Sequence, residues 1–139
     1  MARRYYSSTA VATTLSASAS NSATELTVTA LSGYPASVPW TAIIDSDTAS
    51  EEVVQVTAVD GVTLTVTRGV DNTSAVSHSA GAAFRHGVSG RDFDEANEFV
   101  NSAGAANGVA TLDGSSQVPA DQLGNVPPSD PIPLILALS

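Results

Sequence analysis

The chain has 139 residues and a mass of 14.0 kDa, with 42% hydrophobic but only 5% aromatic residues, so small and β-branched side chains must build its core and one modest domain is the limit. Fourteen acids against five bases give a formal net charge of −9, and all five bases are arginine, a balance that disfavours non-specific nucleic-acid binding. The absence of cysteine excludes a disulfide framework, a thiolate metal site and a cysteine nucleophile, and no apolar run reaches the ~18 residues of a membrane span.

Residues 1–24 form a polar, small-residue N-terminal arm with one strand-like stretch, Val11 to Leu15. Alone it cannot bury enough to fold, so it is either a mobile arm or a strand completed by something else. The Arg3-Arg4 pair is followed by Tyr5, Tyr6 and a Ser/Thr/Ala stretch rather than by the apolar region of an export signal, so export is not expected.

Residues 25–88 carry short alternating segments separated by turn signals, the pattern of a small antiparallel β-sandwich or barrel-like domain. Predicted strands start at Glu25 and Trp40, then form a hairpin in EEVVQVTAVDGVTLTVTRG, and a last one runs from Ala82 to Val88 after a loop over Val70 to Gly81. A three-residue loop Val59-Asp60-Gly61 with Gly61 left-handed opposes Ala58 to Val62, Val56 to Leu64 and Val54 to Val66, making one face wholly apolar. That register sets Glu52 opposite Arg68, a structural ion pair worth about 0.2 to 1 kcal/mol as a cross-strand contact.

At residues 89–104 the period changes. Ser89-Gly90-Arg91-Asp92 has the spacing of a helix cap with an acid three residues on, and Gly104 ends the helix. Phe93, Ala96, Val100 and Ala103 follow the a/d steps of a coiled-coil seam over about two heptads. Two readings of this face stay open: self-association of copies, and packing of Phe93 and Val100 on the chain's own sheet. Residues 105–139 form an extended linker and C-terminal arm, with a strand predicted over Val109 to Leu112, a turn at Asp113 to Ser116 and a proline-rich run. The apolar Leu134, Ile135, Leu136 and Leu138 are expected to dock on a partner or a neighbouring copy.

Enzyme chemistry finds little support. His78 and His86 stand eight residues apart, and with Asp71 or Asp45 as further ligands they do not form a recognised metal-site spacing; hydrogen-bonded structural histidines are the expectation. Asp45-Ser46-Asp47 and Asp92-Phe93-Asp94-Glu95 read as a turn and a helix cap rather than calcium sites. No G-x-S-x-G, GxGxxG or P-loop motif occurs, and no cofactor is expected.

The run from Trp40 to Asn97 resembles the N-terminal domain of minor tail and tail-fibre proteins of tailed bacteriophages. Four elements in order carry the likeness: I-D-x-x-T-x-x-E-E-V-V-x-V-T from Ile44, T-V-T-R-G-x-D-x-T from Thr65, x-H-x-A-G-A-x-x-x-H ending at His86, and R-D-F-x-E-x-N from Arg91. The string GVATLDGSSQVPADQL is similar to a linker recurring in phage tail fibres, head fibres and collars, with Ser116 where that pattern usually has Gly. The resemblance implies a non-enzymatic virion component at the tail tip or baseplate, assembled in the host cytoplasm, with copies of itself in a homotrimer and other tail or baseplate proteins as partners. A head or neck fibre or decoration protein is the neighbouring reading. Larger members carry a receptor-binding or enzymatic region after the linker, so host recognition is not expected of these residues. A different class of reading is a module for host-surface glycan, with Trp40, Tyr34 and Tyr5 as stacking platforms, although a Trp that opens a strand after a proline more often fills a core.

Overall fold

A computed structural model of the chain describes residues 4–105, 109–119 and 122. Two compact units, Met1–Phe93 and Asp94–Ser139, divide it. The first holds six strands, β1 (Thr13–Thr14), β2 (Glu25–Thr27), β3 (Trp40–Ile44), β4 (Glu52–Asp60), β5 (Thr63–Val70) and β6 (Ala83–His86). All pairings are antiparallel, in the spatial order β1-β6-β3-β4-β5-β2. The protein is mainly β, as the alternating segments predict.

The outermost strands meet. Leu15 bridges Val28, the Ser16 N–H donates to the Thr27 carbonyl at 2.8 Å, and the Thr29 N–H donates to the Thr14 carbonyl at 2.9 Å. One curled sheet joined at its margins is thus the architecture, the barrel-like alternative rather than the sandwich.

Alternation puts every second side chain inside. Trp40, Ala42 and Ile44 of β3, Val54 and Val56 of β4, Leu64 and Val66 of β5, Phe84 of β6, and Leu15, Leu26 and Val28 at the junction are all buried. The opposite face of β3 is covered as well, since Thr41 and Ile43 are buried. There the chain at Gly87 runs so close that a Cβ would stand 3.2 Å from Ile43 Cδ1.

The N-terminal segment corrects the arm reading. From Arg4 onward it is tied to the sheet: Tyr5 N–H to Pro39, Val11 N–H to Ser32 and Leu15 N–H to Ala82 are backbone bonds, Ala19 bridges His78, and Arg4, Leu15 and Ala19 are buried. Of the two alternatives, a strand completed by another element is the one observed, and the chain's own β6 completes it. No boundary falls at residue 24.

The hairpin register is also different from the one predicted. Its tip is the two-residue turn Gly61-Val62 between the paired Asp60 and Thr63, with Gly61 at φ +59° in the first central position that a primed turn reserves for glycine. Val59 faces Leu64 and Ala58 faces Thr65; a bulge at Thr57 then resets the ladder so that Val56 faces Val66 and Gln55 faces Thr67. A second irregularity at Arg68 and Gly69 sets Val53 opposite Val70. The pairs Ala58/Val62, Val56/Leu64 and Val54/Val66 do not form. Parity correctly put Val54, Val56, Leu64 and Val66 inside, because a bulge changes a residue's partner while strand twist restores its direction; Ala58 and Val62 at the tip are exposed.

After β6, helix α1 spans Gly90–Asn101 and continues as a tighter turn to Gly104, at φ +76°. Beyond it, Val109 to Leu112 is not a strand, whereas Asp113 to Ser116 does turn, closed by the Ser116 N–H on the Asp113 carbonyl at 3.0 Å. The proline-rich run and Leu134, Ile135, Leu136 and Leu138 lie outside the described residues.

Gly61 and Gly69 both hold positive φ, but only at Gly69 would a Cβ collide with backbone, 2.8 Å from the Ala75 nitrogen. Urea unfolding should therefore separate them: Gly61→Ala is expected to cost about 1 kcal/mol from conformation alone, and Gly69→Ala about 2 to 3 kcal/mol or more.

Candidate functional site

The most concentrated polar chemistry is a buried network at one end of the barrel. Glu52 opens β4 with no exposed surface, and its carboxylate accepts five hydrogen bonds. Oε1 takes Arg68 Nε–H at 2.6 Å and the Gly69 N–H at 2.9 Å; Oε2 takes Arg68 Nη2–H at 2.7 Å, the Val76 N–H at 3.1 Å and His78 Nε2 at 3.0 Å. His78, whose side chain is fully buried, reaches Asp45 Oδ2 through Nδ1 at 2.8 Å, and the other Asp45 oxygen accepts the Ala83 N–H at 3.1 Å. Arg68 spends its remaining donors on the carbonyls of Ser20 (2.9 Å), Ala23 (3.0 Å) and Val76 (2.6 Å).

The structure thus joins Glu52 and Arg68, the ion pair read from the hairpin, through a bidentate buried bridge rather than as directly opposed residues. A value of a few tenths of a kcal/mol no longer applies, because removing either partner strands a buried charge. Burial pushes the Glu52 carboxyl up, and the hydrogen bonds from Arg68, Val76, His78 and Gly69 outweigh it and hold the group below the usual carboxylate range.

A second centre lies at the start of α1. Asp92 accepts the Ser89 N–H at 2.8 Å, closing the predicted cap, and also takes the Tyr6 hydroxyl at 3.0 Å and the Arg4 guanidinium. Burial raises the Asp92 carboxyl, but the Ser89 bond and Arg4 and Tyr6 bring it below its ordinary value. Alongside, the Arg91 N–H donates to Asp71 at 3.1 Å and its guanidinium to Gln55 at 3.0 Å.

The two histidines have separate partners. His86 donates Nδ1–H to the Thr41 carbonyl (2.9 Å) and accepts the Ser7 N–H on Nε2 (3.1 Å), which fixes a neutral tautomer between two backbone segments. Asp45-Ser46-Asp47 is a turn, in which Thr48 Oγ1 donates to the Asp45 carbonyl at 2.7 Å and the Asp47 N–H to Glu51 at 2.6 Å. Among the described residues, no group of three or more His, Cys, Asp or Glu is arranged to hold a metal ion.

Trp40 cannot be a glycan platform. It has no exposed surface and sits among Tyr34, Phe84 and His86, with ring centroids 5.4, 6.4 and 5.7 Å away. Tyr34 is half-buried, stacked near Phe84, with its hydroxyl donating to the Phe84 carbonyl at 3.3 Å; Tyr5 is half-buried in the N-terminal segment.

An exposed apolar surface lies on α1. None of its residues is buried, and Phe93, Phe99 and Val100 are 62%, 58% and 68% exposed. At 100° per residue, Phe93, Ala96, Phe99 and Val100 share one arc of about 120°; Asp92 of the first turn falls within it, whereas Asp94, Glu95 and Glu98 fall outside. Ala96 is exposed, and Ala103, also exposed, lies in the turn that follows, so the heptad reading overextends the helix by that residue and omits Phe99. Counting at 3.6 residues per turn rather than by a/d positions finds Phe99. No spacing rule could have found Arg4 and Tyr6 on Asp92, or Asp45 and His78 beside Glu52, because turns bring them together.

Two measurements test the network. In denaturant unfolding, Glu52→Gln and Arg68→Ala should each lose about 3 to 5 kcal/mol, far beyond a surface pair. Glu52 and Asp92 have depressed folded values, so the stability they contribute is full above their unfolded values and is lost as pH falls through the folded ones. Melting temperature should hold near neutrality and drop below about pH 4, with a shallower acid limb in Asp92→Asn. No protein-family model matches the chain, and no curated protein matches it.

Proposed function

We propose that this chain is a non-enzymatic structural component of a tailed-bacteriophage virion, a minor tail or fibre-attachment protein at the tail tip or baseplate that assembles as a trimer. The observation that carries the reading is the exposed apolar arc of α1, while among the described residues the two concentrated polar centres hold the chain's own fold. Such an arc suits gathering copies around an axis, with Asp94, Glu95 and Glu98 turned outward where like charges stand furthest apart. The β-domain would then dock on the tail-tip scaffold.

The four sequence elements behind the phage resemblance support the same reading. Asp45 and Glu52 come from the first, Arg68 and Gly69 from the second, His78 and His86 from the third, Arg91 and Asp92 from the fourth, and each makes a hydrogen bond that fixes a turn, a loop or the helix start. They are the signature of a scaffold rather than of a reaction, which fits an attachment domain.

Light scattering across a dilution series tests this. A stable mass near three times 14.0 kDa, about 42 kDa, is expected, and Val100→Asp should convert it to monomer with unchanged circular dichroism. A wild-type monomer at every concentration, or a Val100→Asp trimer, overturns the seam.

A further inference from the structure

His78 stands between two carboxylates, and this arrangement makes a stereochemical demand. A neutral imidazole has one N–H and one lone pair, so it can donate to only one neighbour. Yet Nδ1 is 2.8 Å from Asp45 Oδ2 and Nε2 is 3.0 Å from Glu52 Oε2. Asp45 Oδ1 is already committed to the Ala83 N–H, and Glu52 Oε2 also receives Arg68 and the Val76 N–H, so Oε2 is a crowded acceptor that has no use for a proton of its own. With both carboxylates ionised, the two short contacts are favourable together only when the ring carries two protons.

The ring also sits where its loss would be felt. Its backbone exchanges both hydrogen bonds with Ala19, each 2.9 Å, and the preceding loop is tied down through Val76 on Glu52 and Arg68. The charged groups facing His78 are Asp45 from the β3–β4 turn and Glu52 from β4, with Arg68 of β5 across Glu52; Ala19, the N-terminal contact, brings only backbone.

We propose that the Asp45–His78–Glu52 bridge is a proton-dependent latch, in which a doubly protonated His78 holds the loop between β5 and β6 against the N-terminal segment and loss of one ring proton to solvent releases it. When Nδ1 or Nε2 is bare, its lone pair faces a carboxylate oxygen inside the barrel end, and opening relieves that repulsion.

The test uses the full chain labelled with 15N from about pH 5 to about pH 9. Long-range ring spectra report whether each His78 nitrogen carries a proton, and hydrogen-exchange protection is followed at the Ala19, Val76 and His78 amides, with Ile43 as a core reference. Two protonated nitrogens are expected while the loop is protected, with protection at the three amides falling as the ring titrates and Ile43 unchanged. Asp45→Asn supplies an amide N–H to a bare Nδ1 and keeps an oxygen for Ala83, so it should stay latched with the pH dependence removed. A ring with one bare nitrogen in the protected wild-type protein, which needs no variant to observe, overturns the latch. So does an Asp45→Asn protein that keeps the wild-type pH dependence.

Discussion

A single carboxylate holds together parts of the chain that no regular ladder joins. Glu52 gathers Arg68 and Gly69 at the irregular end of β5, and Val76 and His78 from the loop that follows. Through Arg68 it reaches Ser20 and Ala23 of the N-terminal segment, and through His78 it reaches Asp45 at the exit of β3. A barrel of light residues has little apolar area with which to fix such loops, so charge-assisted hydrogen bonds, which are shorter and stronger than neutral ones, do it instead. The cost is strict: every group in that cluster is satisfied only while the others remain.

Asp92 plays the corresponding part on the outside of the sheet. It caps α1 and draws in Arg4 and Tyr6, so the beginning of the described chain and the start of the helix are held by one side chain. Among the described residues, both carboxylates are taken up by side chains and backbone of the fold, while Phe93, Phe99 and Val100 of α1 stay exposed.

The inward residues were legible because alternation is a local property, and Val54, Val56, Leu64 and Val66 keep it through the hairpin. Their partners were not, because the bulge at Thr57 and the turn at Gly61-Val62 are decided by backbone geometry that a period-two count does not see. The helix start was legible from Ser89 and Asp92, which act across one turn. The N-terminal segment was legible in part: the strand-like stretch Val11 to Leu15 contains β1, but what completes it was not, because Leu15 and Ala19 become core only when Val28 and His78 arrive beside them. Of the buried network, only Glu52 and Arg68 could be anticipated, since a hairpin relates them; Asp45 and His78 depend on two turns at once.

The junction of β1 with β6 has a temporal side. Thr13 pairs with Phe84, about seventy residues later, and β6 lies between β1 and β3 in the sheet. As the chain leaves a ribosome at about 5–20 residues per second, its first strand waits several seconds for the neighbour that will complete it. Until then β3 also lacks a partner on one side, and only the β4–β5 hairpin, β3 and β2 can assemble. The polar, serine- and threonine-rich character of the N-terminal segment suits that interval, because a chain that must wait in water is safer without large apolar side chains to trap it in wrong company.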